Sequence, residues 1–298
     1  KDRLEEMREN QIANKEKPKY DGYCRKKALK EGVIRFLNPN EGSVVFNDFV
    51  KGEVSISNSE LDDLVISRSD GSPTYNLTVV VDDHDMEIDC VIRGDDHINN
   101  TPKQINLYKA MGWPLPDFAH VPMILGSDGS RLSKRHGALN LLSYRDEGFL
   151  PEALLNYIVR LGWSNGDQEI FSVKEMIDLF ELKNINNSPA SFNQEKLEWI
   201  NQSYIKSTDI NNLVKNLKWH LSNLNINLDN GPNINELADS LRERSGSLVD
   251  MAKRCVMFYC DFDTFDLVQA NKAFNANSKP ILEDLASNLN SVDTWKAE

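Results

Sequence analysis

The sequence is poor in cysteine and has no long apolar run. Cys24, Cys90, Cys255 and Cys260 are scattered over 298 residues and form no Cys-x-x-Cys pair. That spacing offers neither a disulfide framework nor a thiolate-built metal site, and reduced thiols in the cytosol are the economical reading. No uninterrupted apolar stretch reaches the ~18 residues that a membrane span requires. The first residues, KDRLEEMREN, include no initiator Met, no apolar signal core and no cleavage site, so the chain reads as one that opens within a helix, as a fragment would. Internal repeats and low-complexity tracts are missing too. Positive charge is in deficit: 34 Lys and Arg against 46 Asp and Glu give a formal net charge of -12. This argues against blanket attraction to nucleic acid but not against a local basic face, because the field at the contact face decides binding.

What remains is ordinary for a globular protein, with 40% hydrophobic and 27% charged residues, enough for two or three domains. Lys1 to Glu16 reads as a charged, exposed helix, and KPKYDGYCRKK (17–27) as a basic turn. From Val33 to Arg68 the segments VIRFL, SVVFNDFV, GEVSIS and DLVIS have β texture, broken by Gly, Asn and Asp. SDGSP is a turn. TYNLTVVVDD is apolar and then acidic, and its periodicity does not choose between helix and strand. CVIRG reads as a buried strand ending at a glycine. In TPKQINLYKAMGW, Thr101 suits an N-cap and Pro102 the first helical position. HVPMIL (120–125) reads as a second strand. Strand, Gly-containing loop, helix and strand make a βα pattern of the nucleotide-binding type, and such open sheets bind ligands beyond the carboxyl ends of their strands. After Gly137 the texture turns helical. Pro151 starts one helix, Ser172 and Glu175 fit a capping box, and helices with Asn-rich joints run from Ser207 to the end. Cys255 and Cys260, five apart, read as core residues of one such helix.

Four constellations can carry chemistry. RLSKRHG (131–137) gathers three cations within five residues just past a strand end. Lysine and arginine there suit a polyphosphate whose charge moves during reaction, though a solvated basic turn has the same composition. VIRGDDHINNTP (91–102) brings Arg93, Asp95, Asp96 and His97 to a strand-to-helix junction. An arginine there can fork onto a carboxylate, and an aspartate can hold a ribose hydroxyl or cap the helix. VVVDDHDMEID, taken with GDDH, has the carboxylate and histidine content of a two-metal hydrolytic centre, but no His-x-His pair, and an acidic surface turn would look alike. Cys24 alone makes no metal site.

Three long segments make the pattern specific: SPTYNLTVVVDDHDMEIDCVIRGDDHINNTPKQINLYKAMGW, HVPMILGSDGSRLSKRHGALN and YRDEGFLPEALLNYIVRLGWSNGDQEIFS. In these the chain resembles bacterial glutamyl-tRNA synthetase, a class I aminoacyl-tRNA synthetase, and the likeness runs in one order from Lys1 to the end. The fold implied is α/β plus all-α. Residues 1–78 would be an inserted acceptor-binding α+β domain and 79–137 the second half of a Rossmann-like nucleotide-binding domain. Residues 138–206 would be a stem-contact region and 207–298 a truncated α-helical anticodon-binding domain. The resemblance implies ATP-dependent attachment of glutamate to tRNA(Glu) through an adenylate, with ATP, Mg2+ arriving as its complex, L-glutamate and tRNA(Glu) as ligands. A cytoplasmic, monomeric enzyme with no membrane partner is expected. RLSKR matches the family's Lys-Met-Ser-Lys-Ser signature, so Lys134 would face the ATP phosphates with Arg131 and Arg135 beside it. Asp96, His97 and Ile124 match the ATP site, and Tyr75 and Arg93 match the glutamate pocket. The family's His-Ile-Gly-His type signature does not occur in this sequence, so the chain alone is expected to be inactive. Cys24 matches the third ligand of a zinc site found in some members, but Lys26 stands at the fourth. Cys24 is then a remnant, and zinc is unsupported in this chain. Three other readings share these residues: a glutaminyl-tRNA synthetase, a tRNA-modifying paralogue, and the metal-dependent phosphohydrolase suggested by DDHD and GDDH. A module that binds tRNA without chemistry is a further one.

Overall fold

The computed structural model describes residues 2–16, 18–27, 29, 31–133, 140–261, 266–274 and 277–292. These form two compact units, 1–204 and 205–298. The first opens with helix α1 (Asp2–Ala13), followed by the strands β1 (Ile34–Arg35), β2 (Ser43–Asp48), β3 (Gly52–Ser57) and β4 (Val65–Ser67). Helix α2 (Tyr75–Asp85), strand β5 (Cys90–Gly94), helix α3 (Thr101–Met111) and strands β6 (Asp117–Val121) and β7 (Ile124–Leu125) come next. Helices α4 (Leu141–Asp146), α5 (Pro151–Gly162) and α6 (Val173–Leu179), strand β8 (Ala190–Ser191) and helix α7 (Gln194–Ser207) follow.

The central element is a four-stranded sheet in the order β3-β2-β6-β5. β2 and β3 form an antiparallel hairpin, while β6 runs parallel to both β2 and β5. Strands from both sides of residue 78 thus share one sheet. The alternation in SVVFND turns Val44, Phe46 and Asp48 inward and Ser43, Val45 and Asn47 outward, the period-2 pattern of a strand with one covered face. Val44 and Phe46 pack with Leu61, Ile105 and Phe118, which lodges α3 against the sheet. Leu64, Val80, Leu107 and Tyr108 form a second cluster. Val80 is fully buried because TYNLTVVVDD is a helix, which settles what its periodicity left open.

Several local expectations need correction. The second strand begins at Asp117 rather than His120 and is interrupted at Pro122, whose missing N–H ends the ladder before Ile124. CVIRG is half-buried rather than buried. The cap position of α3 is Asn100, with no side-chain capping bond, and Thr101 lies inside the helix, its hydroxyl engaged elsewhere. Gly112 closes α3 at φ 70°, a left-handed geometry that glycine adopts without strain. Pro151 does start α5, and Ser172 and Glu175 do form a reciprocal capping box on α6.

The second unit contains α8 (Ile210–Asn223), α9 (Ile234–Leu241), α10 (Leu248–Tyr259), α11 (Leu267–Ala273) and α12 (Ser278–Asn290). Leu213, Val214, Leu217 and Leu221 lie along one face of α8 at helical spacing and are buried, as are Leu237 and Ala238 of α9 and Leu248, Met251, Ala252 and Cys255 of α10. Arg242 donates from Nε and Nη2 to the Ile205 carbonyl at 3.1 and 2.9 Å, satisfying an acceptor at the end of α7. Cys255 is a core thiol whose pKa burial pushes up to about 11. Cys260 is exposed just past the end of α10, so the expectation of two core cysteines holds for one of them.

Candidate active site

The parallel pairing of β5 with β6 sets Arg93 directly beside His120 near the carboxyl ends of both strands. Arg93 Nε donates to His120 Nε2 at 3.2 Å, and its Nη2 donates to Thr101 Oγ1 and Gln104 Oε1, each at 2.7 Å. Both acceptors lie on the first turns of α3. Gln104 Nε2 in turn donates to Asn76 Oδ1 at 3.1 Å, linking the network to the start of α2. Arg93 therefore makes no structural ion pair among the described residues. It is half-buried, and desolvation lowers its pKa against the opposing influences of Tyr75, Asp83 and Asp48. Tyr108 lies beneath, buried, with its phenol pushed up to about 12 by desolvation and by the charge of Asp83.

Beyond β5, Gly94 leads into a 3-10 turn, Asp95–His97. A Cβ on Gly94 would meet Asp96 Oδ1 at 2.6 Å, so glycine is what lets the carboxylate fold back over the strand end. Asp96 accepts from Arg131 Nη1 at 3.1 Å, and its other oxygen lies 3.9 Å from His97 Nε2. His97 Nδ1 is 3.3 Å from Asn100 Nδ2 and 3.4 Å from the Tyr75 hydroxyl. Since the Asn100 amide is a donor, Nδ1 is the accepting nitrogen and the ring proton sits on Nε2, toward Asp96. Tyr75, Asp96, His97 and Arg131 thus form one connected, solvent-facing group, next to the guanidinium of Arg93. Ile124 lies on β7, half-buried, and its carbonyl accepts from Leu132 N at 2.9 Å as the chain turns back through Arg131. Lys134 and Arg135 lie outside the described residues.

The acidic segments do not converge as a metal centre. Among the described residues, no three His, Cys, Asp or Glu side chains are arranged to hold an ion. Asp95 pairs with Lys51 at 2.9 Å, and Asp96 pairs with Arg131. His84 stacks on Trp113 at 3.8 Å between centroids, and Asp83 is half-buried with its pKa raised by desolvation. Cys24 accompanies an aromatic and basic cluster: its backbone N donates to the Tyr20 hydroxyl at 2.7 Å, and Lys27 sits over the Tyr23 ring.

Sequence reasoning did not find the support behind Arg93. Asp48 and His120 are both fully buried, joined by a 2.6 Å bond from His120 Nδ1 to Asp48 Oδ2. The signal was present in SVVFND, whose alternation assigns its final aspartate to the covered face, where a carboxylate needs a partner. Asp48 also accepts from the backbone N–H of Val50, Lys51 and His120. Burial alone would raise its pKa, but these donors outweigh it and hold the carboxyl below its ordinary range.

A βαβ crossover with a polar cradle at its strand ends, joined to an all-helical unit, is the architecture of a class I synthetase. The family described as class I tRNA synthetases (E and Q), catalytic domain, matches residues 1–199, and an anticodon binding domain family matches residues 212–298. The chain belongs to the class I tRNA synthetase family that serves glutamate and glutamine. Two curated glutamate–tRNA ligases, from Ruthia magnifica subsp. Calyptogena magnifica and Vesicomyosocius okutanii subsp. Calyptogena okutanii, are each 60% identical to it over its whole length. The chain spans 65% of the length of either relative. Among solved structures, a glutamate tRNA ligase of Elizabethkingia meningosepticum in complex with its amino acid superposes with a TM-score of 0.80 at 29% identity. That match covers 97% of this chain and 65% of the other. Glutamate-tRNA synthetase of Elizabethkingia anophelis gives a TM-score of 0.76 at the same identity and coverage. No described helix is long and apolar enough to cross a membrane.

Proposed function

We propose that this chain belongs to an enzyme that activates glutamate with ATP and transfers it to tRNA(Glu). The observation that carries the reading is the strand-end cradle, where Tyr75 and the guanidinium of Arg93 stand side by side within a chain 60% identical to glutamate–tRNA ligases. The charged guanidinium of Arg93 suits a carboxylate of the amino acid, and the Tyr75 phenol stands beside it. Asp96, His97 and Ile124 would take the adenosine part of ATP. Lys134, Arg131 and Arg135 would meet the phosphates, with Mg2+ entering on the nucleotide. In the first step a glutamate carboxylate oxygen attacks the α-phosphorus and pyrophosphate leaves. In the second, a ribose hydroxyl at the 3′ end of tRNA attacks the carbonyl carbon and AMP leaves. Neither step needs a covalent enzyme intermediate, so positioning and charge stabilisation supply the catalysis.

The helical unit supports a role in tRNA binding, since its match is to an anticodon binding domain. We assign acceptor contact to 1–78, the second half of the nucleotide site to 79–137, stem contact to 138–206 and anticodon contact to 207–298. A cytoplasmic monomer is the expected setting. Glutamate-dependent ATP–pyrophosphate exchange tests the reading in the full-length protein. Exchange with glutamate that Lys134→Ala abolishes is the expected result. ATP hydrolysis that is indifferent to glutamate and to Lys134→Ala, but is lost together with bound metal in Asp95→Ala, would overturn it.

A further inference from the structure

Arg93 carries its charge on a side chain that desolvation disfavours, yet its position is defined by three hydrogen bonds. Two of the acceptors, Thr101 and Gln104, are neutral oxygens that accept in any state. The third is different. An arginine Nε always donates, so the 3.2 Å contact requires a lone pair on His120 Nε2. A neutral imidazole has one such nitrogen and one N–H, and the hydrogen bond made by the second nitrogen decides which is which. Asp48 makes that bond. It sits 2.6 Å from Nδ1, both side chains are fully buried, and a carboxylate held by backbone donors can only accept. The ring proton is thereby fixed on Nδ1 and the lone pair on Nε2. Thr101 Oγ1, 3.0 Å from the same Nε2, accepts from Arg93, and a proton it turned toward the ring would share the one Nε2 lone pair with Arg93 Nε–H.

Resting on the glutamate reading of Arg93, we propose that Asp48 and His120 are positioning residues: they lock one imidazole tautomer, which orients the Arg93 guanidinium so that Nη1 is the nitrogen left for the substrate carboxylate. The three protein bonds consume Nε and Nη2, and Nη1 takes no part in them. Nη1 alone is left for a substrate carboxylate, and the Tyr75 phenol interacts with the same guanidinium. Neither Asp48 nor His120 touches the substrate in this scheme. Asp48 accepts a hydrogen bond from a histidine kept neutral, so what reaches Arg93 is hydrogen-bond direction rather than charge. If the tautomer were reversed, Nε2–H would confront Nε–H and the guanidinium would have to rotate away.

Two substitutions separate this role from general packing. His120→Gln places an amide oxygen near the Nε2 position and keeps an acceptor for Arg93 while giving up the donor to Asp48. His120→Asn places its amide near Nδ1, keeps the donor to Asp48 and gives up the acceptor. In the full-length protein, the expected result is a glutamate KM raised about tenfold or more in His120→Asn, in line with a lost charge-assisted bond. The ATP KM should stay within about twofold, and His120→Gln should recover most of the glutamate affinity. Equal losses in the two variants, or losses shared by ATP, would overturn the proposal. Independently, long-range 1H–15N spectra of the 298-residue chain read the His120 ring directly, assigned by its disappearance in His120→Gln. A neutral ring protonated on Nδ1, and an Arg93 Nε–H protected from exchange that becomes exposed in Asp48→Asn, are expected. An Nε2–H tautomer or an imidazolium at neutral pH would overturn the proposal even if every variant were soluble and folded. If the wild-type enzyme ignores glutamate while the ring and the Nε–H behave as expected, the substrate reading alone has failed and the positioning of Arg93 stands.

Discussion

Arg93→Lys is the most informative single change at the strand-end cradle. Lysine keeps the charge but replaces a planar fork with one ammonium nitrogen. Arg93 reaches three acceptors from two of its nitrogens, at 3.2, 2.7 and 2.7 Å, and these lie on different elements, β6 and the first turns of α3. A single ammonium on a shorter reach can hold about one of them. Hydrogen bonds to a charged group contribute ~1.5–3 kcal/mol each, but the site is half-buried and water replaces part of what is lost. Relief of the arginine's own desolvation offsets a further part. The net stability loss should therefore be about 1–3 kcal/mol, measured by urea unfolding of the 298-residue chain. The larger effect falls on the substrate. Losing the charge-assisted contact that Nη1 is left to make with a carboxylate should cost ~1.5–3 kcal/mol of binding, a rise of about 10- to 150-fold in the glutamate KM. The ATP KM should stay close to wild type. Steady-state ATP–pyrophosphate exchange of the full-length protein separates the two. A glutamate KM within about twofold of wild type would show that the guanidinium does not bind substrate, whatever its effect on stability.

Other outcomes follow from the same geometry. Stability should fall as pH drops below about 6.5: burial, the largest influence, lowers the His120 pKa although Asp48 opposes it, so the unfolded histidine takes up a proton that the folded one refuses. The charged groups acting on that ring are Asp48 on β2, Arg93 on β5 and Asp95 in the following turn, and His120→Gln should flatten this part of the profile. Asp48 adds a second loss below its unfolded value of about 3.8, because its folded pKa is depressed and its contribution vanishes as pH passes through the folded value. Leu217→Ala should destabilise the helical unit by about 2–5 kcal/mol in thermal unfolding, since Leu217 is fully buried and its truncation leaves a cavity. Ser172→Ala removes the donor–acceptor exchange with Glu175 and should cost ~1 kcal/mol in the same assay.

The strands and most helix starts were legible because local rules sufficed: alternation in SVVFND, Pro151 at a first turn, Ser172 with Glu175. TYNLTVVVDD was not, since β-branched residues fit a strand, and only packing of Val80 against Leu64 and Leu107 makes the helix win. The candidate site was legible as a set of residue types near one strand end, and the structure brings Arg93, Asp96, His97 and Tyr75 together there. Its support was not. His120 lies 27 residues from Arg93 and Asp48 lies 72 from His120, and only the parallel register of β2, β6 and β5 brings them into one line. Cys260 illustrates the boundary problem. Its spacing suited the α10 helix, but the helix stops at Tyr259 and leaves the thiol in solvent. The basic turn read in KPKYDGYCRKK gathers around Tyr23, where Arg3, distant in sequence, and Lys27 lie over one ring.

Under the proposed function, the cradle at Arg93 takes glutamate for transfer to tRNA. Charging of tRNA(Glu) with radiolabelled glutamate by the full-length protein, run beside its Arg93→Ala variant and beside glutamine and aspartate as competing substrates, tests it most directly. ATP-dependent glutamyl-tRNA formation by the wild type, no comparable product from glutamine or aspartate, and loss of charging in the variant at limiting glutamate are expected. Charging that proceeds equally well without the Arg93 guanidinium, or that prefers glutamine, would contradict it.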